Sequence, residues 1–289
     1  MTQCRLSQTL KGYTAEKKRD MKNRLYIVEG LPCSGKSSVS GYISELLGEL
    51  CRVCYVDEGS GAHPADYEFH AFLSEEELAG FSPEERKLML SCSQRDENGY
   101  VLPLSAFEGE LFGRLLQYKI YDMLPWENER PVMLRKWRSF AETADKDTVY
   151  VFNCVLLQNP MCETMMRFGF DKEISLGYIS EIADIIALMN PVVIYLRNDD
   201  IAECVRKASG EREGWLEAVT DYHVNGAYGK SIDAQGFEGY ISCLEERQER
   251  ELDILSHISL ESIVLDNAHR DWNGTYERIR EIVTGRNDG

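Results

Sequence analysis

The stretch from Gly30 to Ser37 constrains the fold of this chain more than any other segment. It reads GLPCSGKS and fits the pattern G-x-x-x-x-G-K-[ST] at every position. The short apolar run before it, 25–29 (LYIVE), is typical of a buried strand. The residues after it, 36–50, repeat apolar side chains at helical spacing. A strand, a glycine-rich turn and a helix in this order predict a phosphate-binding loop.

Each part of this loop suits the binding of a nucleotide phosphate. Small residues let backbone N–H groups turn inward onto phosphate oxygens. The dipole of the following helix adds to that attraction. Lys36 supplies a positive charge to the β- and γ-phosphates, and the hydroxyl of Ser37 is predicted to take one ligand position of Mg²⁺.

Five β-rich runs alternate with helical patterns, which predicts an α/β fold. The runs are 25–29, 51–59, 148–157, 192–196 and 262–266. Parallel strands need helical crossovers, and the third run is almost entirely apolar. We therefore predict a five-stranded parallel sheet with helices on both faces.

The sequence also predicts how the chain is divided. Residues 21–289 are expected to form a single domain. The pattern over 74–145 is mostly helical, with a long amphipathic helix at 104–124, and predicts a helical insert over one edge of the sheet. Residues 1–20 are polar, basic and aperiodic, and are predicted to be a disordered N-terminal extension.

Acidic side chains end the second β-rich run, where Asp57 and Glu58 precede Gly59. This end of a parallel strand lies on the same side of the sheet as the phosphate loop. Either acid is therefore placed to accept a hydroxyl proton or to orient Mg²⁺. A solvated strand end or a helix cap is the alternative interpretation. The next loop adds three candidate acceptor-binding residues, His63, Asp66 and Tyr67.

The third β-rich run has Asn153 and Cys154 where motors and switches usually carry an acid that holds Mg²⁺ through water. This weakens the prediction of a motor and leaves the outer ligands of the metal unassigned. Further on, Gln158 and Asn159 each present a donor and an acceptor in one plane, which suits an amide, a base edge or a sugar hydroxyl. A simple turn before Pro160 is the alternative.

Basic residues gather in two places of this otherwise acidic chain. In segment 197–230, Arg206 and Arg212 flank a small-residue break, which predicts a mobile lid whose arginines stabilise charge on transferring phosphates. Pairing with neighbouring glutamates along a helix is the alternative. In the segment RKWRS, Arg135 and Arg138 either reach the acceptor or form a solvated helix face.

Charge and hydropathy argue against two kinds of partner. The 289 residues carry a formal net charge of −17, which repels a phosphate backbone, so no nucleic acid is expected as a partner. No run of about 18 apolar residues is present, so no membrane-spanning helix is expected. The N-terminus has no apolar signal core, which predicts a cytoplasmic location. A homodimer is left open.

The chain resembles the deoxynucleoside kinase and thymidylate kinase-like (nucleoside monophosphate kinase-like) group of P-loop kinases. The resemblance rests on GLPCSGKSS, on VDEG, on IYLRNDDIAECVRKASGERE and on the closing VLDNAHRDWNGTYERIREIV. It implies a P-loop NTPase fold, phosphate binding by Arg206 and Arg212 of the lid, and Glu58 as the acid near the acceptor hydroxyl. The residues that it implies for ATP binding are Gly30, Leu31, Pro32, Cys33, Ser34, Gly35, Lys36, Ser37 and Ser38.

The chain departs from this family at two points. The acid–arginine pair that usually follows the third strand is replaced by Asn153 and Cys154, and GSGAHPAD matches no nucleoside-binding loop. We predict an ATP- and Mg²⁺-dependent phosphotransferase that acts on a hydroxyl or phosphate of a small acceptor, such as a nucleoside, a nucleotide, another metabolite or an antibiotic. Glu58, with Asp57 as alternate, is the predicted base. The alternative prediction is a regulatory or degenerate nucleotide-binding protein without phosphotransfer.

Overall fold

A computed structural model describes residues 21–210, 212–266 and 271–285 of the chain. The predicted N-terminal extension, residues 1–20, lies outside these residues. No helix in the described part of the chain is long and apolar enough to cross a membrane.

The described residues form eight strands and twelve α-helices. The strands are β1 (Leu25–Gly30), β2 (Arg52–Val56), β3 (His70–Ser74), β4 (Gln94–Asp96), β5 (Gly99–Pro103), β6 (Thr148–Asn153), β7 (Pro191–Arg197) and β8 (Glu261–Asp266). The helices are α1 (Lys36–Gly48), α2 (Glu75–Ala79), α3 (Pro83–Cys92), α4 (Gly109–Leu115), α5 (Trp126–Thr143), α6 (Gln158–Met161), α7 (Lys172–Ile186), α8 (Ile201–Ser209), α9 (Trp215–Val224), α10 (Ala227–Ser231), α11 (Gly236–His257) and α12 (Trp272–Thr284). A π-helical segment, Cys162–Arg167, follows α6.

The chain divides into two compact units. The second unit is residues 59–140, and the first unit consists of the residues before and after it. The first unit contains a five-stranded sheet in the order β2-β6-β1-β7-β8, in which every neighbouring pair is parallel. The predicted five-stranded parallel sheet and α/β fold are confirmed. Strand β1 is central and fully buried, as expected of a strand covered on both faces.

Helices cover both faces of this sheet. On one face, α1 and α12 pack on alternate residues of β1, β6 and β7, and this cluster includes Val28, Val39, Ile43, Val151, Ile194 and Ile279. On the opposite face, the hydroxyl of Tyr195 in β7 donates a hydrogen bond of 2.7 Å to Glu251 in α11. The alternation of side chains along each strand thus supplies a separate core to each face.

The second unit corrects the predicted helical insert over 74–145. It begins at residue 59 and ends at 140, and it contains an antiparallel sheet in the order β3-β5-β4. Its strands are short, so their period-two pattern is weak beside the helical pattern of α2 and α3. Asn98 and Gly99 form a dipeptide typical of tight hairpins, but the register pairs Gly99 with Asp96, so the two loop residues are Glu97 and Asn98.

The helices of the second unit agree only in part with the sequence. Ser74 and Ser82 both form complete capping boxes with a glutamate three residues on, as their pattern indicates. The predicted long helix at 104–124 is wrong, because α4 covers only Gly109–Leu115. Tyr121 has a φ of 61°, which is incompatible with a right-handed helix running through the end of that range.

We predict that Gly99→Ala destabilises the protein through the sheet of the second unit. A Cβ at Gly99 would lie 2.1 Å from the carbonyl oxygen of Leu73 in the paired strand, a backbone atom that cannot move aside cheaply. We expect the free energy of unfolding in urea to fall by about 1–3 kcal/mol. The matched control is Gly113→Ala in α4, where nothing lies within 4 Å and alanine favours the helix. Equal stability of the two variants would contradict this account.

Candidate phosphate-binding site

The predicted phosphate loop joins the central strand β1 to helix α1, and its backbone requires glycine. Gly30 has a φ of 141° and Gly35 a φ of 97°, both in the region that side chains disfavour. A Cβ at Gly30 would lie 2.7 Å from the carbonyl oxygen of Leu196 in β7. Both glycines of the motif therefore allow a turn whose N–H groups are close to the N-terminus of α1.

Gly35 has a second reason to lack a side chain. A Cβ at this position would lie 2.2 Å from the ring of Trp272, the first residue of α12. That ring stacks on Tyr276, which in turn contacts Tyr42 of α1. An aromatic residue from the C-terminal helix thus packs against the loop, and Trp272 had not been identified as a site residue from the sequence.

Lys36 lies over the loop to which it belongs. Its Nζ donates hydrogen bonds of 3.0 Å to the carbonyl oxygen of Gly30 and 3.2 Å to that of Leu31. The side chain is buried, so these two carbonyls replace much of its hydration. The positive charge is therefore held at the loop, as a role in phosphate binding requires.

Asn153 contacts two predicted site residues, Ser37 and Asp57, although the three come from separate parts of the chain. Nδ2 of Asn153, at the end of β6, donates hydrogen bonds of 3.0 Å to the hydroxyl of Ser37 and 2.6 Å to Oδ1 of Asp57. Asn153 is buried, whereas Ser37 and Asp57 are exposed. The group bonded to the predicted magnesium ligand Ser37 is thus the amide N–H of Asn153, and the same amide nitrogen also binds the carboxylate of Asp57, an oxygen ligand of the kind that Mg²⁺ prefers.

A second polar pair lies next to this group. The side-chain amide of Gln158, at the start of α6, donates a short hydrogen bond to Oε1 of Glu58. Asn159 is the next residue of α6 and is half-buried. Gln158, an acceptor candidate predicted from the sequence, thus contacts a predicted catalytic acid.

The loop that carries Gln158 is held by a buried carboxylate that sequence reasoning did not identify. Glu29, the residue before Gly30, accepts backbone hydrogen bonds of 2.7 Å from Leu156, 3.0 Å from Leu157 and 3.3 Å from Gln158. Burial raises the pKa of Glu29 to about 7, and these N–H groups oppose that rise only in part. A charged residue inside the apolar run LYIVE was the available signal.

A buried ion pair lies on the α11 face of the same sheet. Nε of Arg247 donates to Oε1 of Glu251 at 2.6 Å, and both side chains are almost completely buried. Nη1 of Arg247 lies 3.6 Å from the sulfur of Cys162, whose pKa burial raises to about 11. Arg247 and Glu251 are one turn apart on the buried side of α11, and their i,i+4 spacing was the signal available in the sequence.

The predicted lid, 197–230, consists mainly of α8, α9 and α10. The guanidinium of Arg206 lies 4.7 Å from the ring centre of Phe237 and 3.7 Å from Glu238, and that of Arg212 lies 5.5 Å from the ring centre of Trp215. Within the described residues, neither arginine makes a hydrogen bond or ion pair with the phosphate loop. Both side chains are exposed, so the lid function stays a prediction.

The remaining candidate acceptor residues, apart from Asn159, belong to the second unit. Burial and the charge of Lys136 lower the pKa of His63 to about 3, and its Nδ1 accepts the N–H of Ala65 at 3.1 Å. Asp66 accepts a short hydrogen bond from Tyr121. The ring of Tyr67 lies under Lys136. Arg135 binds both carboxylate oxygens of Asp96, and Arg138 is exposed on α5.

Comparisons with known proteins add only coarse information. No protein-family model matches this chain, and no curated protein matches its sequence. A solved structure of the YorR protein from Bacillus subtilis, in complex with phosphorylated GDP, shares 13% identity and a TM-score of 0.40, covering 90% of this chain and 95% of that one. Thymidylate kinase from Candida albicans shares 13% identity and a TM-score of 0.40, covering 91% and 92%. Neither likeness carries an argument at these values. The prediction of a phosphate-binding loop therefore rests on the sheet order and on the geometry of the loop.

We predict that Glu29 makes the stability of the protein depend on pH. Its folded pKa of about 7 exceeds the ordinary glutamate pKa of 4.5, so between these values the folded state holds a proton that the unfolded state has lost. The free energy of unfolding should therefore fall as pH rises through this range, by up to about 3 kcal/mol. Urea unfolding of the wild type and Glu29→Gln at several pH values between 4.5 and 8 measures the difference.

The matched control for this prediction is Glu45→Gln, which removes an exposed carboxylate from α1. Its difference from the wild type should not change in that pH range. A difference between wild type and Glu29→Gln that is constant with pH would show that Glu29 does not titrate as predicted.

Proposed function

We propose that this protein is an ATP- and Mg²⁺-dependent kinase that transfers the γ-phosphoryl group of ATP to a small acceptor. The observation that carries the proposal is the hydrogen bond between Glu58 and Gln158. Glu58 follows Asp57, which is linked to Ser37 of the loop through Asn153 at the end of β6. A phosphate-binding loop alone needs no such pair. A carboxylate oriented by an amide is a suitable proton acceptor for a hydroxyl group.

The residues of the loop fit ATP and Mg²⁺. The absence of side chains at Gly30 and Gly35 lets the backbone approach phosphate oxygens closely. The exposed hydroxyl of Ser37 is a hard oxygen ligand of the kind that Mg²⁺ prefers. When bound, Mg-ATP supplies the transferable phosphoryl group and neutralises part of the charge on its oxygens.

The side chains of the chain then have distinct roles. Lys36 exchanges its carbonyl partners for phosphate oxygens and stabilises their charge. Glu58 orients the acceptor hydroxyl and takes its proton, while Gln158 holds the carboxylate in place. Arg206 and Arg212 reach the phosphates when segment 197–230 closes and excludes water. The acceptor class is a small molecule with a hydroxyl or phosphate group, such as a nucleoside, a nucleotide or an antibiotic.

The proposal is tested first by finding the acceptor and then by removing the base. ATP consumption with a panel of nucleosides, nucleotides, sugars and aminoglycosides identifies the acceptor. We expect Glu58→Gln to lower kcat for that acceptor by about 10²–10⁴-fold, because the amide cannot take a proton. Its Kd for ADP, measured by calorimetry, should stay within about threefold of the wild type, since Glu58 is not part of the loop.

The matched control is Glu45→Gln, which removes one exposed negative charge from α1. It should leave both kcat and the Kd for ADP unchanged. Full activity of Glu58→Gln would contradict the role of Glu58.

The lid is tested separately with Arg206→Ala. Arginines that stabilise transferring phosphates act mainly in the transition state, so we expect kcat to fall at least about tenfold, with little change in the affinity for ATP. Arg278→Ala, which removes an exposed arginine paired with Glu281 on α12, is the control. If Arg206→Ala changes neither turnover nor affinity, segment 197–230 is not a catalytic lid.

The alternative function is nucleotide binding without phosphotransfer. It is favoured by Asn153, an amide at a position where phosphate-loop proteins commonly carry a carboxylate. Tight binding of ATP with no acceptor-dependent consumption across the panel would support this function over the kinase.

A further inference from the structure

The end of β6 lacks the carboxylate that a magnesium site beside a phosphate loop needs. Mg²⁺ is bound through one or two carboxylates, several waters and the substrate phosphates. Ser37 supplies only a hydroxyl, and Asn153 supplies an uncharged amide. If the protein binds Mg²⁺ as its proposed function requires, the carboxylate must come from elsewhere.

The register of the sheet places Asp57 at this position. Val56 of β2 pairs with Phe152 of β6, so the next residue of each chain segment, Asp57 and Asn153, are neighbours. Nδ2 of Asn153 bonds both the hydroxyl of Ser37 and Oδ1 of Asp57, at 3.0 Å and 2.6 Å. These two oxygens thus accept hydrogen bonds from the same amide nitrogen, which brings a carboxylate close to the predicted magnesium ligand.

The surroundings of Asp57 suit a hydrated cation. Oδ1 also accepts the backbone N–H of Glu58 at 3.0 Å, so two donors fix the orientation of the carboxylate. The side chain is exposed and can meet an ion that keeps several waters. Arg52, the basic residue nearest in β2, pairs instead with Asp145 at 3.0 Å.

A second observation at the same position indicates a missing partner. The side chain of Asn153 is only 1% exposed, and its Oδ1 accepts no hydrogen bond from any described residue. Buried amide oxygens are nearly always hydrogen-bonded to protein, water or ligand. The amide beside Ser37 and Asp57 therefore completes its hydrogen bonds only when a further group, such as a metal-bound water, is present.

We propose that Asp57, at the end of β2, supplies the carboxylate that holds Mg²⁺ through a bound water, and that Asn153 positions this carboxylate beside Ser37. The inference rests on the proposed nucleotide site and goes further by moving the metal-binding acid from β6 to the neighbouring strand. Asn153 is a positioning residue here, because it acts through Asp57.

The test measures metal affinity directly. Mn²⁺ is added to the protein–ADP complex, and free Mn²⁺ is followed by electron paramagnetic resonance. We expect Asp57→Asn to weaken Mn²⁺ binding by about 10–100-fold, while ADP binding without metal stays within about threefold of the wild type. Glu58→Gln removes the adjacent exposed charge and should change Mn²⁺ affinity by less than about threefold.

The exchange variant Asp57→Asn/Asn153→Asp makes the test specific. It keeps the hydrogen-bonded pair with donor and acceptor reversed and returns the carboxylate to β6. We expect it to recover Mn²⁺ affinity to within about fivefold of the wild type. A charge effect or a folding defect would not be repaired in this way, and thermal unfolding of each variant checks the fold.

The outcomes separate the two levels of the proposal. Unchanged Mn²⁺ affinity in Asp57→Asn, or equal weakening by Glu58→Gln, overturns the assignment of Asp57 while the nucleotide site stands. Failure of the exchange variant to recover affinity, with its fold intact, overturns the positioning by Asn153. A wild type that does not bind ADP at all overturns the proposed function and this inference together.

Discussion

The site depends on the carboxylate of Glu29, which is buried at the end of the central strand. Removing a carboxylate from water costs several kcal/mol, and three backbone N–H groups offset this cost in part. These N–H groups belong to the loop after β6, whereas Glu29 precedes the first glycine of the phosphate loop. One side chain therefore links the predicted phosphate loop to the segment that carries Gln158.

Charge is distributed differently inside and outside the first unit. The chain has a net charge of −17, yet its interior holds Lys36, the Arg247–Glu251 pair and Glu29. Each of these groups has hydrogen-bond partners that replace part of its hydration. Arg247 is neutralised by Glu251, so Lys36 is the group whose charge would attract an anionic ligand to the loop under the proposed function.

The features that a single segment of sequence determines were the ones that could be predicted. Fully buried parallel strands are continuous apolar runs, so all five strands of the large sheet could be located, and the loop between β1 and α1 followed from its motif. The small sheet was missed because its strands are short, and β4 consists of three polar residues. The loop of its hairpin is Glu97 and Asn98, so the Asn98–Gly99 dipeptide lies one residue away from the position that it usually has in such a turn.

The contacts within the site could not be predicted, because they depend on strand order and register. The neighbours of Asn153 come from β2 and α1, and no local pattern shows that Asp57 lies beside it. The same holds for Glu29, which looked like an isolated acid in an apolar run. Arg135 was identified by its charge alone, whereas the structure gives it a bidentate partner in Asp96.

The packing of Trp272 against Gly35 has a consequence for how this protein can change over time. The ring occupies the space that any side chain at position 35 would need. The backbone at Gly35, with a φ of 97°, disfavours a side chain independently of that ring. Position 35 is therefore under two separate constraints, and a smaller residue at the start of α12 would remove only one of them.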